Sequence, residues 1–222
     1  MKDSLTEIVA ILDKSGSMAH LTADTIGGYN TFIKAQQELP GEAVLSTVLF
    51  STGKENVLHN RAALAGIQPI TEKEYRAGGG TALLDAMGRA IDHIGKELDK
   101  TPEDEKPGKV IFFVITDGQE NSSTEYSYKQ IKDMVERQTN IYKWEFIFMG
   151  ANIDAFSTAE SMGILRDHAF NYKAKSANIM ALHSALGEAV ENIRRHKNID
   201  IGKPFRQKMA RANEEDGEKA RK

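Results

Sequence analysis

The stretch Ile8-Val-Ala-Ile-Leu-Asp13-Lys-Ser15-Gly-Ser17-Met18 decides the fold of this chain. Its first part, Ile8–Leu12, is a continuous apolar run, which is typical of a central parallel strand covered on both faces. The run ends in a loop that carries Asp13, Ser15 and Ser17 at alternate positions. Carboxylate and hydroxyl oxygens are suitable ligands for a hard cation such as Mg²⁺. The stretch therefore predicts a buried strand that opens into a metal-binding loop.

Two later segments have the same strand-and-loop character. The glycine-rich Gly78–Gly80 is followed by Thr81, and the apolar run Val110–Ile115 is followed by Thr116-Asp117-Gly118. In order and spacing, the three loops resemble the Asp-x-Ser-x-Ser, Thr and Thr-Asp-Gly elements of von Willebrand factor A domains. The resemblance extends from about Leu5 to His196. It implies an intact metal-ion-dependent adhesion site (MIDAS) in a bacterial or phage-type intracellular member of the family.

The resemblance also implies a role for each site residue. Ser15 and Ser17 bind the metal directly, and Thr81 does so when a ligand is engaged. Asp13 and Asp117 act mostly through water and through hydrogen bonds to the hydroxyl groups. The implied ion is Mg²⁺, with Mn²⁺ and Ca²⁺ as alternatives, and the implied ligand is an Asp or Glu side chain of a partner protein. We therefore expect a metal-dependent protein-binding module or adaptor rather than an enzyme.

Apolar strands alternate with amphipathic helices along the chain, which predicts a doubly wound α/β fold. The resemblance implies a mostly parallel six-stranded sheet in the order 3-2-1-4-5-6, with one antiparallel edge strand and helices on both faces. We predict strands at Leu5–Leu12, Ala43–Ser51, Glu55–His59, Lys109–Thr116, Lys143–Gly150 and His168–Tyr172. We predict helices at about Ala19–Glu38, Ala82–Leu98, the segment that ends near Gln138, Ile153–Met162 and Asn178–His196.

Composition narrows the classes of function. The 222 residues carry a net charge of −3, which gives no reason to expect nucleic acid as a partner. The absence of cysteine excludes disulfides, thiolate zinc sites and a cysteine nucleophile. The longest apolar run, around Val110–Ile115, is too short to span a bilayer, and no apolar signal region follows Met1. We expect a cytoplasmic protein without a membrane segment.

The segment 197–222 differs in composition from the rest of the chain. It holds eight Lys or Arg and five Asp or Glu, a net charge of +3, which leaves −6 for residues 1–196 out of the total of −3. We interpret residues 1–196 as a von Willebrand factor A domain and residues 197–222 as a charged, solvated and partly disordered tail. A docking arm for an acidic partner is the alternative interpretation of the tail.

Other interpretations of these motifs stay open. The loops are also compatible with ordinary turns or with a purely structural ion. A metal-dependent phosphoester hydrolase is the enzymatic alternative, although phosphatases with an aspartate nucleophile need a second Asp where this chain has Ser15. Gly78–Gly80 lacks the Gly-Lys-Ser/Thr ending of a phosphate-binding loop. We expect a surface or capping role for His20, and Asn152 and Asp154 are weaker candidates to border the crevice.

Overall fold

The structure is a computed structural model that describes residues 1–53, 55–195 and 200–219, without the side chains of residues 176–177 and 212–219. Its strands are β1 (Lys2–Asp13), β2 (Glu42–Phe50), β3 (Asn56–Ala63), β4 (Pro107–Thr116), β5 (Glu145–Ala151) and β6 (Ala169–Tyr172). Its α-helices are α1 (Thr22–Gln37), α2 (Leu83–Lys100), α3 (Tyr128–Tyr142), α4 (Ala155–Ser161), α5 (Ser176–Arg195) and α6 (Gly202–Lys219). Within these ranges, no helix is long and apolar enough to cross a membrane.

The six strands form one sheet in the order β3-β2-β1-β4-β5-β6. Every neighbouring pair is parallel except β2 and β3. This arrangement confirms the predicted α/β class and its single antiparallel edge strand, β3. The central position of β1 explains its apolar run, because Ile8–Leu12 is fully buried on both faces of the sheet. The winding reverses between β1 and β4, so a crevice forms at the carboxyl ends of these two strands.

Alternate residues of the central strands face two separate hydrophobic cores. Phe113 and its neighbours on one face pack under α1, α5 and α6, whereas Phe112 and its neighbours on the other face pack under α2, α3 and α4. Phe113 meets Phe32 of α1 edge to face, with 5.1 Å between the ring centroids. Phe112 stacks on Trp144 at 5.3 Å. Packing on both faces therefore fixes the ends of β1 and β4, where the predicted site residues lie.

Most predicted elements occur close to their predicted bounds, with three notable differences. The edge strand β3 continues four residues past its predicted end at His59. The first predicted helix consists of a 3-10 turn, Gly16–Leu21, followed by α1. The helix α3 begins after Ser127, which forms a capping box with Gln130, and it continues four residues past the predicted end. Lys54 in the predicted turn and the predicted helix end at His196 lie outside the described residues.

The segment Ile201–Met209 packs onto the domain, which differs from the predicted solvated tail. The predicted boundary between residues 196 and 197 lies outside the described residues, but Ile201, Phe205 and Met209 are buried. These side chains are four residues apart and form one apolar stripe at the start of α6 and along it. Phe205 stacks on Phe170 of β6, with 3.8 Å between the ring centroids. The stripe therefore extends the core under α5 beyond the predicted domain.

We expect Phe205→Ala to lower the free energy of unfolding by about 3–5 kcal/mol, because the substitution removes a buried aromatic ring. Lys203→Ala, at an exposed position of the same helix, is the control and is expected to change stability by less than about 0.5 kcal/mol. Urea unfolding followed by circular dichroism measures both variants. Equal stability of the two variants would show that α6 does not pack on the domain in solution.

Candidate metal centre

The structure brings the five predicted site residues together at the carboxyl ends of the two central strands. Asp13 ends β1, and Asp117 directly follows β4. Ser15 lies in the connection after β1, Ser17 lies in the 3-10 turn that follows, and Thr81 lies two residues before α2. Ser17 is exposed, whereas the other four are buried. Buried polar groups need hydrogen-bond partners or a bound ion. The contacts of these side chains therefore show which ligand the site could bind.

The carboxylate of Asp13 joins the two central strands. Its Oδ1 accepts a hydrogen bond from the Ser15 N–H at 2.6 Å, and its Oδ2 accepts one from the Thr116 hydroxyl of β4 at 2.6 Å. Burial raises the pKa of Asp13, the bonds from Thr116 and Ser15 oppose this rise, and the charge of Asp117 adds to it. A cation in the crevice would favour the charged form of this carboxyl group.

A chain of hydroxyl groups connects the first loop with Asp117. Ser15 Oγ lies 3.0 Å from Ser17 Oγ, and Ser17 Oγ donates to Asp117 Oδ1 at 2.6 Å. Asp117 Oδ2 is buried and has no hydrogen-bond partner among the described residues. A buried carboxylate oxygen without a partner is unfavourable. A cation or a donor is therefore the natural partner of this oxygen.

The Thr81 side chain, in the loop before α2, lies close to Ser17 and to the backbone that follows Asp117. A Cβ atom built on Gly118 would lie 2.9 Å from Thr81 Oγ1 and 3.6 Å from Ser17 Oγ. The two hydroxyl groups thus flank the backbone directly after Asp117. A side chain at position 118 would displace the Thr81 hydroxyl, which explains why glycine follows Asp117.

This set of groups fits a divalent cation such as Mg²⁺. The hydroxyl groups of Ser15, Ser17 and Thr81 would hold the ion, and water would complete its coordination. Both oxygens of Asp13 already accept hydrogen bonds, so Asp13 orients the loop. Asp117 orients Ser17 with one oxygen, and its other oxygen is buried without a hydrogen-bond partner among the described residues. In the described ranges, no group of three or more His, Asp or Glu side chains is placed to hold a metal.

Two buried tyrosines shape the centre, and sequence reasoning did not identify them. The Tyr75 hydroxyl donates to the main-chain oxygen of Asp13 at 2.5 Å, and the Tyr172 hydroxyl donates to that of Thr116 at 3.2 Å. Burial raises the pKa of both tyrosines, so both stay neutral donors at neutral pH. The two hydroxyls therefore hold the ends of β1 and β4 through their main chains. Tyr75 lies in a segment without regular structure, and no local pattern marks it.

The loops that carry Thr81 and Asp117 are joined by reciprocal hydrogen bonds. The Thr81 N–H donates to Asn121 Oδ1 at 2.9 Å, and the Asn121 N–H donates back to the Thr81 oxygen at 3.0 Å. The Glu120 carboxylate accepts from the Leu84 N–H at 3.0 Å and from the N–H groups of the two serines after Asn121. Asn121 is therefore a positioning residue for Thr81.

Asp85, in the first turn of α2, holds the next part of the same loop. Its carboxylate accepts bonds of 2.9–3.0 Å from the three N–H groups of Thr124–Tyr126. Burial raises the pKa of Asp85, but these bonds outweigh that effect and hold the pKa below its usual value. Arg89, one turn further, pairs with Glu125 at 2.6 Å and with Glu55. The loop after β4 is therefore fixed to the start of α2.

The glycine-rich segment Gly78–Gly80 supports the site rather than a phosphate. Its first N–H donates to the Lys14 oxygen at 2.7 Å, and its last N–H donates to Thr52 Oγ1 at 2.5 Å. Its middle residue has a φ of 83°, a conformation that favours glycine. Because these N–H groups are already engaged, the segment braces the loop after β1 and does not form a phosphate cradle.

The three weaker candidates have local roles in the structure. His20 is exposed, and its Nδ1 lies 2.8 Å from the Ser17 oxygen, within the 3-10 turn. Asp154 caps α4 and accepts two backbone N–H bonds of 3.1 Å each. Asn152 is exposed and has a φ of 57°. The capping bonds of Asp154 account for that residue without a ligand.

We expect Asn121→Ala to weaken Mg²⁺ binding about tenfold, because residues that orient metal ligands without contacting the metal change its affinity by about this factor. The wild-type chain itself is expected to bind Mg²⁺ weakly, since its direct ligands are neutral hydroxyl groups. Isothermal titration calorimetry measures the affinity. Asn121→Asp keeps the acceptor for the Thr81 N–H and should restore binding, and Asn140→Ala on the exposed surface of α3 is the control. Unchanged affinity in Asn121→Ala would contradict the positioning role.

Comparison with known proteins gives matches at the level of structure. No family model and no curated protein sequence matches the chain. The structure is similar to proximal thread matrix protein 1 from the mussel byssus, with a TM-score of 0.58 and 14% identity over 86% of this chain and 46% of that one. For a von Willebrand factor type A protein from Catenulispora acidiphila, the TM-score is 0.53, with 18% identity over 84% of this chain and 43% of that one.

A third similar structure is the pilus adhesin SpaC from Lactobacillus rhamnosus GG, with a TM-score of 0.62 and 12% identity over 85% of this chain and 30% of that one. One crystal structure of the mussel protein has a zinc-occupied MIDAS motif. The chain spans less than half the length of each of these three proteins. Identities of 12–18% show a shared fold. The chain has the fold of a von Willebrand factor type A domain.

Proposed function

We propose that this chain is a metal-dependent protein-binding module whose bound divalent cation engages an acidic side chain of a partner protein. One observation carries the proposal: Asp117 Oδ2 is buried without a partner among the described residues, while Asp117 Oδ1 accepts from the Ser17 hydroxyl. A carboxylate held in this way, next to further hydroxyl groups, is suited to a hard cation. Mg²⁺ is the proposed ion, with Mn²⁺ and Ca²⁺ as alternatives.

A bound cation would let the centre accept an anionic ligand. Asp13 and Asp117 bring two negative charges, Asp13 with both oxygens in hydrogen bonds and Asp117 with one. When bound, the cation supplies two positive charges and a coordination position that faces solvent. A carboxylate of the partner is a strong, charge-assisted ligand for such a position once water leaves the contact. The ion would therefore cancel the two negative charges of the centre and allow a carboxylate to bind, although the net charge of the chain is −3.

A groove beside the centre supports a partner of this kind. A cavity of about 480 Å³ lies between the start of α1 and the segment that carries Tyr75. Its walls include Thr22, the exposed cations Lys73 and Arg76, and the exposed acid Glu72, a net charge of +1. Tyr75 connects this groove to the centre through its hydrogen bond to the main chain of Asp13. Exposed cations at the rim would steer an acidic partner and increase its association rate.

We propose that the metal centre binds a partner and does not catalyse a reaction. We also propose that the protein is a cytoplasmic adaptor. Both oxygens of Asp13 accept hydrogen bonds, and one oxygen of Asp117 accepts from Ser17. These carboxylates are therefore suited to orient hydroxyl groups rather than to accept a substrate proton. A phosphoester hydrolase is the competing function. Turnover of a phosphoester with Mg²⁺ or Mn²⁺ that Asp13→Ala abolishes would favour the hydrolase.

Affinity capture from the lysate of the native source tests the binding function. The immobilised chain is expected to retain a partner in Mg²⁺ and to release it in EDTA, and Asp117→Ala and Ser15→Ala are expected to retain none. Glu160→Ala, which removes an exposed carboxylate on α4, is the control and should retain the partner. Replacing the contacting Asp or Glu of the partner by its amide should remove the Mg²⁺-dependent binding.

Two outcomes would contradict the proposal. One is a partner that stays bound in EDTA, and the other is a partner whose binding depends only on apolar or basic residues. Thermal melts in EDTA separate loss of binding from loss of the fold. Asp117→Ala is expected to melt close to the wild type, because it removes a carboxylate oxygen without a partner and opens no hydrophobic cavity.

A further inference from the structure

A second cavity, of about 530 Å³, lies at the opposite end of the sheet from the metal centre. It opens between α2, the end of α3 and the start of β4, and we call it the α2–α3 groove. Its floor includes the buried side chains of Ile91, Val110 and Trp144. β4 runs for ten residues from Pro107 at this groove to Thr116 at the metal centre. At about 3.3 Å per residue, the two places are roughly 30 Å apart.

Exposed apolar side chains gather around this groove. Seven large apolar side chains are exposed in the described part of the chain, and three of them line the groove: Met1 at 68%, Ile141 at 63% and Tyr142 at 52%. Single exposed apolar residues are ordinary, but a cluster marks an interaction site. A small molecule in the groove would leave Ile141 and Tyr142 in water. The surface therefore fits a segment of a protein better than a small ligand.

The charges around the groove favour an acidic occupant. Lys109 lines the groove but donates its ammonium protons to the main chain of α5. The other charged lining residues sum to a net charge of +1, whereas the whole chain has a net charge of −3. They are the four cations Lys96, Lys106, Arg137 and Lys143 and the three acids Asp92, Asp99 and Glu103.

Three charged groups of the groove have neither an ion pair nor a side-chain hydrogen bond among the described residues: the cations Lys96 and Arg137 and the acid Asp99, a net charge of +1. Glu103 pairs with Lys106 at 3.0 Å, and Asp92 accepts from a tyrosine hydroxyl at 2.9 Å. Lys96 and Arg137 are exposed and form no ion pair with any residue that the structure describes. Complementary charge at a rim sets the orientation of a partner and its association rate. Lys96 and Arg137 are therefore the groups that an acidic segment would meet.

A buried acceptor adds a polar contact to the groove. Gln138 lines it, and Gln138 Oε1 is buried without a hydrogen-bond partner in the part of the chain that the structure describes. An N–H or O–H group of an occupant would satisfy this oxygen. Such a contact fixes the register of a segment that is otherwise held by apolar surface.

We infer that the α2–α3 groove is a second docking site, for an amphipathic segment of a partner protein that presents a large apolar side chain next to Asp or Glu. The apolar side chain packs on the floor and against Ile141 and Tyr142, and the acidic residues meet Lys96 and Arg137. This mode of binding is that of an amphipathic helix in an apolar groove. Because the metal centre is at the other end of the sheet, the chain is able to bridge two partners.

A phage-displayed library of random peptides, selected on the wild-type chain in EDTA, tests this inference without the metal centre. The selected peptides are expected to carry a large apolar residue beside Asp or Glu. Fluorescence anisotropy of a labelled synthetic copy should show a loss of affinity of at least about tenfold in Ile141→Glu and in Arg137→Glu. Leu165→Glu is the matched control, because Leu165 is 56% exposed outside the groove, and it should bind as the wild type does.

Several results would overturn the inference. One is a selection that enriches no sequence, and another is a selection that enriches basic peptides. A third is a selected peptide that binds Ile141→Glu as tightly as it binds the wild type. Analytical ultracentrifugation of the wild-type chain alone tests a second copy as the occupant, and a dimer that Ile141→Glu dissociates would also overturn it. Both groove variants replace exposed side chains and should melt as the wild type does. If Ile141→Glu does not fold, Arg137→Glu decides the outcome.

Discussion

The fold and the candidate metal centre both depend on the buried carboxylate of Asp13, which ties the ends of the two central strands together. One oxygen accepts from the Ser15 N–H in its own loop, and the other accepts from the Thr116 hydroxyl on β4. Burying a charge is unfavourable unless other groups compensate for it, and the raised pKa of Asp13 reflects this cost. In the function that we propose, a cation supplies the remaining compensation. Such a cation would stabilise the folded state, because it binds that state alone.

The candidate metal ligands come from two separately fixed loops. Ser15 and Ser17 belong to the loop after β1, whose position follows from the central strand and from Gly78–Gly80. Thr81 belongs to a unit in which the start of α2 and the loop after β4 are held by Asn121 and by buried carboxylates. Within the described residues, the Ser17 hydroxyl connects the side chains of the two parts. Such preorganisation lowers the cost of gathering neutral ligands around an ion.

The sequence was sufficient to predict those features that a local pattern encodes. Continuous apolar runs at Ile8–Leu12 and Val110–Ile115 predicted the central strands, because strands covered on both faces carry such runs. The bond between Thr81 and Asn121 joins residues 40 positions apart, and no local pattern encodes it. The packing of α6 was missed for another reason. The high charge of residues 197–222 concealed the apolar stripe around Phe205, although its four-residue spacing was present in the sequence.

Anomalous diffraction from crystals grown with Mn²⁺ tests whether this end of the sheet binds a cation, because it locates the ion without a partner protein. We expect one anomalous peak within coordination distance of the Ser15 and Ser17 hydroxyls, next to Thr81 and Asp117. The same peak should be absent from crystals of Asp117→Ala grown under the same conditions. An anomalous peak elsewhere, or no peak at millimolar Mn²⁺, would contradict the assignment of a metal centre to this end of the sheet.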